Sequence, residues 1–510
     1  MTTDLPQPDR QADDHARAEL TAGRPALLSR RRIADLDTPV AAALKLMEPG
    51  RGDFLLESVE GGAQRGRYSL LGLAPDLVFR AQGDRAEINR HWATDPAAFV
   101  EQGPDPLAAM RALVAECRMD VPAGMPPALA CLVGYFAYET IRLVERLPRP
   151  AASALDVPDM LFVRPTLVLV FDRLADELHI VAPLWPDPAR DPAAMVDDAV
   201  ARIDTAFARL AAAPPRRMMV DPGAVDPAPV PMLPPGRYGE MVAAAKEYIA
   251  AGDIFQVVLA QRFTMDFPLP PLDLYRALRR INPSPFLYYL DLPGFALIGS
   301  SPEILVRARD GEVTIRPIAG TRPRGKTAAE DAANRAELLA DPKERAEHLM
   351  LLDLGRNDVG RVATPGSVTV TDSYGVEYYS HVMHIVSNVV GRIAPGTDSL
   401  DALFAGFPAG TVSGAPKVRA CEVIAELEPE TRGPYAGGVG YFSPDGGMDS
   451  CIVLRTAVLK DGVMHVQAGA GIVADSDPAG EQRECEAKSG ALFAAARAAL
   501  RLAAESDFGQ

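Results

Sequence analysis

The stretch Ile304-Leu305-Val306-Arg307-Ala308-Arg309-Asp310-Gly311-Glu312-Val313-Thr314-Ile315-Arg316-Pro317 indicates the fold class most directly. Two short strand patterns, 304–309 and 312–317, flank the dipeptide Asp310-Gly311. Asp-Gly is a common two-residue connection of an antiparallel hairpin, because both positions accept a positive φ. Similar hairpins alternate irregularly with helical patterns along the second half of the chain. We therefore predict an α+β fold with largely antiparallel sheets rather than a doubly wound parallel sheet.

The composition is that of an acidic globular protein. The chain has 510 residues, with 52 Lys+Arg against 68 Asp+Glu, and 48% of its residues are hydrophobic. The excess of acid argues against a nucleic-acid or anionic-membrane partner. No apolar run approaches the roughly 20 residues of a membrane helix, and no secretory signal is recognisable. The cysteines form no C-x-x-C pair, which favours a cytoplasmic location and gives no zinc signature. They are Cys117, Cys131, Cys421, Cys451 and Cys485.

A proline-rich stretch suggests how the chain is divided. Residues 214–236 contain prolines at a density that forbids a continuous helix or a central strand. They are Pro214, Pro215, Pro222, Pro227, Pro229, Pro231, Pro234 and Pro235. We therefore expect a linker at 214–236 between an N-terminal domain, 26–213, and a C-terminal domain, 237–510. Residues 1–25 are expected to form a loose tail.

The segment 320–327 matches the phosphate-loop pattern G-x-x-x-x-G-K-[ST], and 349–353 resembles a Walker B strand. A phosphate loop wraps phosphates with successive backbone N–H groups, and Pro323 removes one of them. Charged residues preceding Leu349 recur at helical spacing, which indicates a helix rather than a buried strand. A nucleotide hydrolase is therefore the disfavoured alternative.

Two predicted helices each carry a pair of carboxylates. Glu344 and Glu347 are three residues apart and share one helix face, as do Glu481 and Glu484, which precede Lys488 by seven and four residues. Such pairs could hold one hard cation, and Mg²⁺ fits because it takes few carboxylates and keeps positions for water and an anionic ligand. Solvated helix faces with ordinary ion pairs are the alternative interpretation.

Two glycine-rich segments and one histidine remain ambiguous on their own. The run 406–417 leads into a predicted helix, and 467–471 follows the predicted strand 463–466; each offers backbone N–H groups to an anion. His384 lies in an apolar strand, 382–390, where a histidine is more often a core residue than a catalyst.

Together these segments resemble the chorismate-utilising enzyme family. The matching motifs occur in the family's order across about residues 237–495, and the N-terminal half resembles the family's regulatory half through Leu55-Leu56-Glu57-Ser58. The motifs are Ser301-Pro302-Glu303, 317–325, 344–358, Val382-Met383-His384, 410–417, 449–455 and Gly469-Ala470-Gly471. The resemblance implies two similar lobes packed as an α/β/β/α sandwich, with 26–213 as the regulatory domain and 237–510 as the chorismate-binding catalytic domain.

Two positions bear on the reaction within this family. Water-using members carry a lysine base where this chain has Gln256, and an amide takes up no proton near neutral pH, so the resemblance implies ammonia as the nucleophile. Members that stop at aminodeoxychorismate typically carry a lysine where this chain has Ala319. The implied reaction is therefore chorismate plus ammonia to anthranilate plus pyruvate, which begins tryptophan biosynthesis. Aminodeoxychorismate formation for the folate pathway is the nearest alternative, followed by isochorismate formation and a non-catalytic sensor that kept the fold.

The resemblance assigns roles by position. Glu303 is the implied general acid, His384 assists the elimination and Thr411 is a ring-side contact. Glu347 and Glu484 are the implied Mg²⁺ ligands, with Glu344 and Glu481 close behind. The implied substrate contacts are Gly320, Thr321, Tyr435, Arg455, Gly469, Ala470, Gly471 and Lys488.

The resemblance also implies two partners. None of the five cysteines lies in the Gly-x-Cys-x-Gly context of a glutaminase, so ammonia is expected from a separate glutamine amidotransferase, component II, in a two-plus-two assembly. L-tryptophan is the expected feedback inhibitor. Its implied site comprises Glu57, Ser58, Pro285, Phe286 and Leu287, with Glu57 pairing with the ligand ammonium.

Overall fold

The hairpin around Asp310-Gly311 is present, and both residues of its turn have positive φ, 50° and 74°. This geometry is that of a type I′ turn, as the sequence predicts. The protein is described by a computed structural model. It describes residues 7–60, 64–121, 125, 129, 131–148, 155–215, 226–379 and 382–504.

The N-terminal half contains four helices and eight strands among the described residues. They are α1 (Gln7–Thr21), β1 (Ala26–Ile33), α2 (Pro39–Leu46), β2 (Phe54–Glu60), β3 (Gln64–Gln82), β4 (Arg85–Asn89), β5 (Phe99–Glu101), α3 (Pro106–Glu116), β6 (Leu132–Phe136), β7 (Met160–Asp172), β8 (Glu177–Leu184) and α4 (Pro192–Ala211). A short 3₁₀ helix, Tyr138–Leu143, follows β6.

The C-terminal half carries the remaining elements of the described chain. They are β9 (Val230–Pro231), α5 (Arg237–Ala250), β10 (Gln256–Asp266), α6 (Pro271–Ile281), β11 (Phe286–Leu292), β12 (Phe295–Ser301), β13 (Ile304–Arg309), β14 (Glu312–Ile315), β15 (Ile318–Pro323), α7 (Ala328–Ala340), α8 (Pro342–Gly360), β16 (Thr369–Tyr378), β17 (Val382–Arg392), α9 (Ser399–Gly406), β18 (Gly414–Ala415), α10 (Lys417–Leu427), β19 (Gly438–Phe442), β20 (Met448–Ile452), β21 (Thr456–Lys460), β22 (Val463–Ile472) and α11 (Pro478–Ala504). A second 3₁₀ helix spans Gly410–Val412.

The strands form two antiparallel layers that share the long strands β3 and β7. The first layer runs β1-β8-β7-β3-β2-β11-β12-β21-β22-β10. The second runs β5-β4-β3-β7-β6-β19-β20-β13-β14-β17-β16, and β15 also pairs with β17. Both layers therefore join the two halves of the chain: Glu57 lies opposite Leu287, and Phe136 opposite Gly438.

Three hydrophobic clusters lie between four layers, which are a layer of helices, the first sheet, the second sheet and another layer of helices. The cluster between the sheets draws Phe54 and Leu297 from the first sheet and Tyr135 and Val439 from the second. A second cluster packs α2, α4, α6 and α11 on the outer face of the first sheet. A third packs α3, α5, α9 and α10 mainly on the outer face of the second sheet. The predicted α+β fold and α/β/β/α sandwich are confirmed. None of the described helices is long and apolar enough to span a bilayer.

The expectation of a loose tail at 1–25 is wrong for residues 7–21, which form α1. Ala16 and Leu20 lie one turn apart and are 1% and 5% exposed. Arg17 also binds Asp197 on α4 at 2.9 Å. The helix is stabilised by this small apolar face against α4 and β1, although most of its residues are polar.

The proline-rich stretch is only partly within the described chain, since 216–225 fall outside it. Its later part contains β9, which pairs with Phe263 and Thr264 at the edge of β10. Proline suits an edge strand because it needs no ladder donor on the open side. The division of the chain into domains at this stretch stays a prediction.

The phosphate-loop alternative does not fit the structure. Residues 318–323 form strand β15 paired with β17 instead of a loop that leads into a helix. The segment 349–353 lies inside α8, as its charge spacing predicted.

Candidate active site

The residues predicted for catalysis, substrate and metal come together around one open cleft. The cleft is bounded by α8, α11, β15, β17 and β22 and by the segment before α10. The predicted residues that line it are Glu303, Gly320, Thr321, Glu344, Glu347, His384, Thr411, Tyr435, Arg455, Gly469, Gly471, Glu481, Glu484 and Lys488. Ala470 is the exception discussed below.

Glu303 is a buried carboxyl at the junction of β12 and β13, 7% exposed. The Thr411 hydroxyl lies 3.1 Å from both of its carboxyl oxygens. Burial raises the pKa of Glu303 to about 8, while the hydrogen bond from Thr411 lowers it. A carboxyl with this pKa is largely protonated at neutral pH, so it can act as a general acid.

His384 projects from β17 toward the irregularity of strand β15 at Gly320, where the pairing register of β15 with β17 shifts. Its Nδ1 lies 3.0 Å from the carbonyl oxygen of Gly320 and 3.1 Å from the Thr321 hydroxyl. A carbonyl oxygen only accepts, so Nδ1 carries the hydrogen and the lone pair of the neutral ring is on Nε2. Burial lowers the pKa of His384, which favours this neutral form. The ring can therefore accept a proton at Nε2.

Gly320 permits this arrangement because of its backbone. Its φ is +71°, a conformation that other residues rarely adopt. A Cβ at this position would also lie 3.0 Å from Glu344 Oε2. The same carboxyl oxygen accepts the Thr321 N–H at 3.2 Å, which joins α8 to β15.

The two carboxylate pairs face the cleft from α8 and α11. Burial raises the pKa of Glu347, and the negative charges of Glu344 and Glu484 raise it further. Burial also raises the pKa of Glu481, with a further contribution from Glu484. Within the described chain, no three His, Cys, Asp or Glu side chains are close enough to hold a metal ion as placed. The four carboxylates nevertheless suit a hard divalent cation such as Mg²⁺, because they repel one another and offer only oxygen ligands.

Two basic residues currently neutralise part of this acidic cluster. Arg322 binds Glu344 at 3.2 Å and Asp341 at 2.7 Å. Lys488 binds Glu484 at 2.7 Å and donates to the Gly469 carbonyl at 3.1 Å. Lys488 therefore links the acidic cluster to the glycine-rich part of β22.

Arg455 and Tyr435 form the part of the cleft suited to an anion. Arg455 is a non-glycine residue with a positive φ of 49°, a strained conformation of the kind found at functional sites. Burial lowers the pKa of its guanidinium, which shows that few counter-charges compensate its burial. Burial raises the pKa of Tyr435, so its hydroxyl stays a hydrogen-bond donor.

The glycines at 469 and 471 lie within β22 and not after the strand, so that expectation is wrong. The strand continues through both glycines, although glycine is uncommon in strand interiors. A Cβ at Gly469 would lie 2.8 Å from Tyr435 Oη, and one at Gly471 would lie 2.5 Å from Gln256 Nε2. Ala470 does not line the cleft: its side chain is 0% exposed and belongs to the hydrophobic core, because alternate strand residues face opposite ways.

Gln256 faces the cleft at the start of β10. Its side-chain oxygen is buried and has no hydrogen-bond partner among the described residues. Ala319 also lines the cleft, so neither position offers an amine.

The profile of the family described as chorismate binding enzyme matches residues 54–494. The chain belongs to this family. The match spans both halves of the chain and includes every predicted site residue, so the resemblance inferred from the motifs is confirmed.

Several relatives within the chorismate-binding family are very similar to this chain. It is 53% identical to anthranilate synthase component 1 of Cereibacter sphaeroides over 93% of this chain and 95% of that protein. It is 46% identical to anthranilate synthase component 1 of Thermus thermophilus, over 91% and 96% of the two chains.

Solved structures agree with this membership. Anthranilate synthase component I of Streptococcus pneumoniae superposes with a TM-score of 0.73 at 34% identity, over 91% of this chain and 99% of that one. The menaquinone-specific isochorismate synthase of Escherichia coli reaches a TM-score of 0.69 at 19% identity, which supports the fold alone.

The expected tryptophan residues lie together, but Glu57 is already bound. Pairing of β2 with β11 brings Glu57 and Ser58 beside 285–287. The Glu57 carboxylate accepts from Arg173 at 2.7 Å, from Arg279 at 2.9 and 3.0 Å and from the Tyr275 hydroxyl at 2.6 Å. In this conformation the Glu57 carboxylate is already fully used by protein donors, and its pairing with a ligand ammonium stays a prediction.

Two residues of the site were missed from the sequence: one lines the cleft, and the other binds a residue that lines it. Gln467 lines the cleft with a buried oxygen that has no partner in the described part of the chain. Its position two residues before Gly469 on one strand face could have indicated it. Arg322, which binds Glu344, gave no such signal, because the contact spans two elements.

Proposed function

We propose that the protein converts chorismate and ammonia to anthranilate, pyruvate and water, as component I of an anthranilate synthase with Mg²⁺ as cofactor. The observation that carries the proposal is that three residues line the same cleft. They are the buried acid Glu303, the neutral amide Gln256 and the buried cation Arg455. The similarity to anthranilate synthase component 1 of other bacteria supports it.

Chorismate is a dianion, so its binding requires positive charge in an acidic protein. Arg455 and Lys488, with the Tyr435 hydroxyl, would contact its carboxylates. Glu347 and Glu484, with Glu344 and Glu481 close behind, would hold the Mg²⁺. The bound ion supplies a Lewis acid and charge neutralisation at the ring carboxylate.

The amination step requires a nucleophile at C2 and an acid at C4. Ammonia forms the C–N bond at C2 as the ring double bond shifts and the C4–O bond breaks. Glu303 donates its proton to the departing hydroxyl, which leaves as water, and Thr411 stabilises the resulting carboxylate. The unpartnered Gln256 oxygen is an acceptor suited to an N–H of ammonia, whereas no base is present there to activate water.

The elimination step requires a base. His384 Nε2 takes the C2 proton, the bond between C3 of the ring and the enolpyruvyl oxygen breaks, and the ring becomes aromatic. The departing enolpyruvate takes up one proton at its methylene carbon and becomes pyruvate. The Nδ1–H bond to Gly320 holds the ring in the tautomer that has a free Nε2. The products balance, since chorismate plus ammonia contains the atoms of anthranilate, pyruvate and one water.

The ammonia supply calls for a partner. All five cysteines are buried, and none is placed as a glutaminase nucleophile. We propose a separate glutamine amidotransferase, component II. The isolated protein should form fluorescent anthranilate and an equal amount of pyruvate from chorismate, Mg²⁺ and an ammonium salt. Glutamine in place of ammonium should give no product; activity with glutamine alone would overturn the partner proposal.

Feedback inhibition by tryptophan is part of the same proposal. Ser58 and 285–287 are the expected contacts, and Glu57 can join them only if it exchanges Arg173 or Arg279 for the ligand ammonium. Inhibition requires tryptophan to prefer one conformation. Ser58→Ala should raise the tryptophan concentration for half-inhibition without changing activity in its absence. An unchanged inhibition curve would exclude Ser58 from the site.

A further inference from the structure

Arg432 is the largest fully buried side chain in the described part of the protein and is 1% exposed. Its Nε and Nη2 donate to the two carboxyl oxygens of Glu428 at 2.9 and 2.6 Å. A buried ion pair of this kind is weak evidence for stability, because desolvation offsets much of the attraction. The other contacts of the guanidinium indicate a different role.

Those contacts reach two walls of the cleft. Nη1 donates to the Val412 carbonyl at 2.7 Å, and Nη2 donates to the Val258 carbonyl at 2.6 Å. Val412 follows Thr411, whose hydroxyl binds Glu303, and Val258 lies on the strand that begins at Gln256. One planar guanidinium thus fixes the distance between these two segments.

The faces of the guanidinium lie against two tyrosines. Arg432 Cζ is 5.7 Å from the centre of the Tyr435 ring and 4.7 Å from that of Tyr138. Both distances allow cation–π attraction. Tyr435 lines the cleft, whereas Tyr138 belongs to the N-terminal half, so Arg432 connects the N-terminal half with the anion-binding side of the cleft.

Glu139, also from the N-terminal half, holds the backbone at Arg432. Its two carboxyl oxygens accept from Arg432 N at 2.7 Å and Gly433 N at 3.0 Å. Tyr138 N donates in turn to the Gly433 carbonyl at 2.9 Å. The loop that leads to Tyr435 is therefore fixed by the segment 138–139.

We propose that Arg432 is a positioning residue of the active site, which sets Thr411, the Gln256 strand and Tyr435 relative to one another, and that Glu139 holds the loop that places Arg432. The inference rests on the proposed function for its kinetic test. Neither residue lines the substrate cleft, so both act through other residues.

The test compares Arg432→Lys with the matched control Arg164→Lys. Lysine keeps the charge opposite Glu428 but cannot donate to Glu428 and both carbonyls as the planar guanidinium does. Arg164 is also a buried arginine, 8% exposed, with two 2.8 Å bonds to Asp76, and it lies over the Trp185 ring away from the cleft. Both variants should lose stability.

Only Arg432→Lys should lose function. Misplacement of catalytic groups by about 1 Å typically costs on the order of 100-fold, so we expect kcat for anthranilate to fall by 10- to 100-fold. The alkaline limb of the kcat profile should also move, because Thr411 then holds Glu303 less well. Chorismate affinity, measured by calorimetry, should weaken because Tyr435 is displaced.

Glu139→Gln provides a second, milder variant if Arg432→Lys does not fold. Its amide has one acceptor, so one of the two backbone N–H groups loses its partner. If the kinetic constants and the chorismate affinity of Arg432→Lys or Glu139→Gln change no more than those of Arg164→Lys, the positioning role is wrong. Failure of the wild-type protein to form anthranilate would overturn the proposed function instead, and the calorimetric comparison would still decide the role of Arg432.

Discussion

Replacing Glu303 with Gln removes a carboxyl that the folded protein holds at an unusual pKa. Burial raises this pKa from 4.5 to about 8 against the opposing hydrogen bond from Thr411. Because one pKa unit corresponds to about 1.36 kcal/mol, the fold disfavours the Glu303 carboxylate by about 5 kcal/mol. A group whose pKa is raised on folding contributes stability that is fully present below its unfolded pKa and lost as the pH rises through its folded pKa.

As the pH rises from about 4.5 to 8, the free energy of unfolding of the wild-type protein should therefore fall relative to that of Glu303→Gln. Between pH 6 and pH 8 the expected relative loss is about 2 kcal/mol. Urea unfolding of both proteins, followed by circular dichroism at these two pH values, measures it. The variant should also fail to aminate chorismate at either pH, because Gln has no proton to donate.

A matched control separates this effect from general charge effects. Glu486 is an exposed glutamate on α11, and Glu486→Gln provides this control by removing one surface charge. If the difference in unfolding free energy between wild type and Glu303→Gln is the same at pH 6 and pH 8, the buried-acid argument is wrong. Near-normal turnover of Glu303→Gln with ammonia would refute the acid role separately.

Three other substitutions test other parts of the site. His384→Met should leave amination intact but stall elimination, so chromatography should show an accumulating amino intermediate; its absence would count against the base role. Glu484→Ala should raise the Mg²⁺ concentration for half-maximal activity at least about tenfold, as loss of a ligand usually does, whereas Glu486→Ala should not change it. Gly469→Ala places a Cβ 2.8 Å from Tyr435 Oη and should lower kcat/KM for chorismate about tenfold or more, while Gly490→Ala, with nothing within 4 Å, should not.

Local sequence signals predicted local structure well. The Asp310-Gly311 turn, the helix at α8 and the strand carrying His384 follow from spacing and turn chemistry. Helix α1 was missed because only a narrow apolar face, at Ala16 and Leu20, stabilises it. The sequence alone does not predict that β22 continues through Gly469 and Gly471, because the side chains that require these glycines, Tyr435 and Gln256, are distant in the sequence.

Long-range contacts set the limit of prediction for the site. Nearly all residues predicted for catalysis, substrate and metal do line the cleft, because each motif carries its own chemistry. The motifs could not show that Arg173 and Arg279 bind the Glu57 carboxylate, because these partners lie 116 and 222 residues away in the sequence. The role of Arg432 was hidden for the same reason: its contacts join segments that only the two shared sheets bring together.

The identity of the product tests the central claim most directly. The purified protein, incubated with chorismate, Mg²⁺ and ¹⁵N-labelled ammonium, should give anthranilate with the label on the amino group ortho to the carboxylate, together with one pyruvate. Nuclear magnetic resonance and mass spectrometry distinguish this product from its rivals. Accumulation of labelled 4-amino-4-deoxychorismate, or of unlabelled isochorismate, would contradict the account.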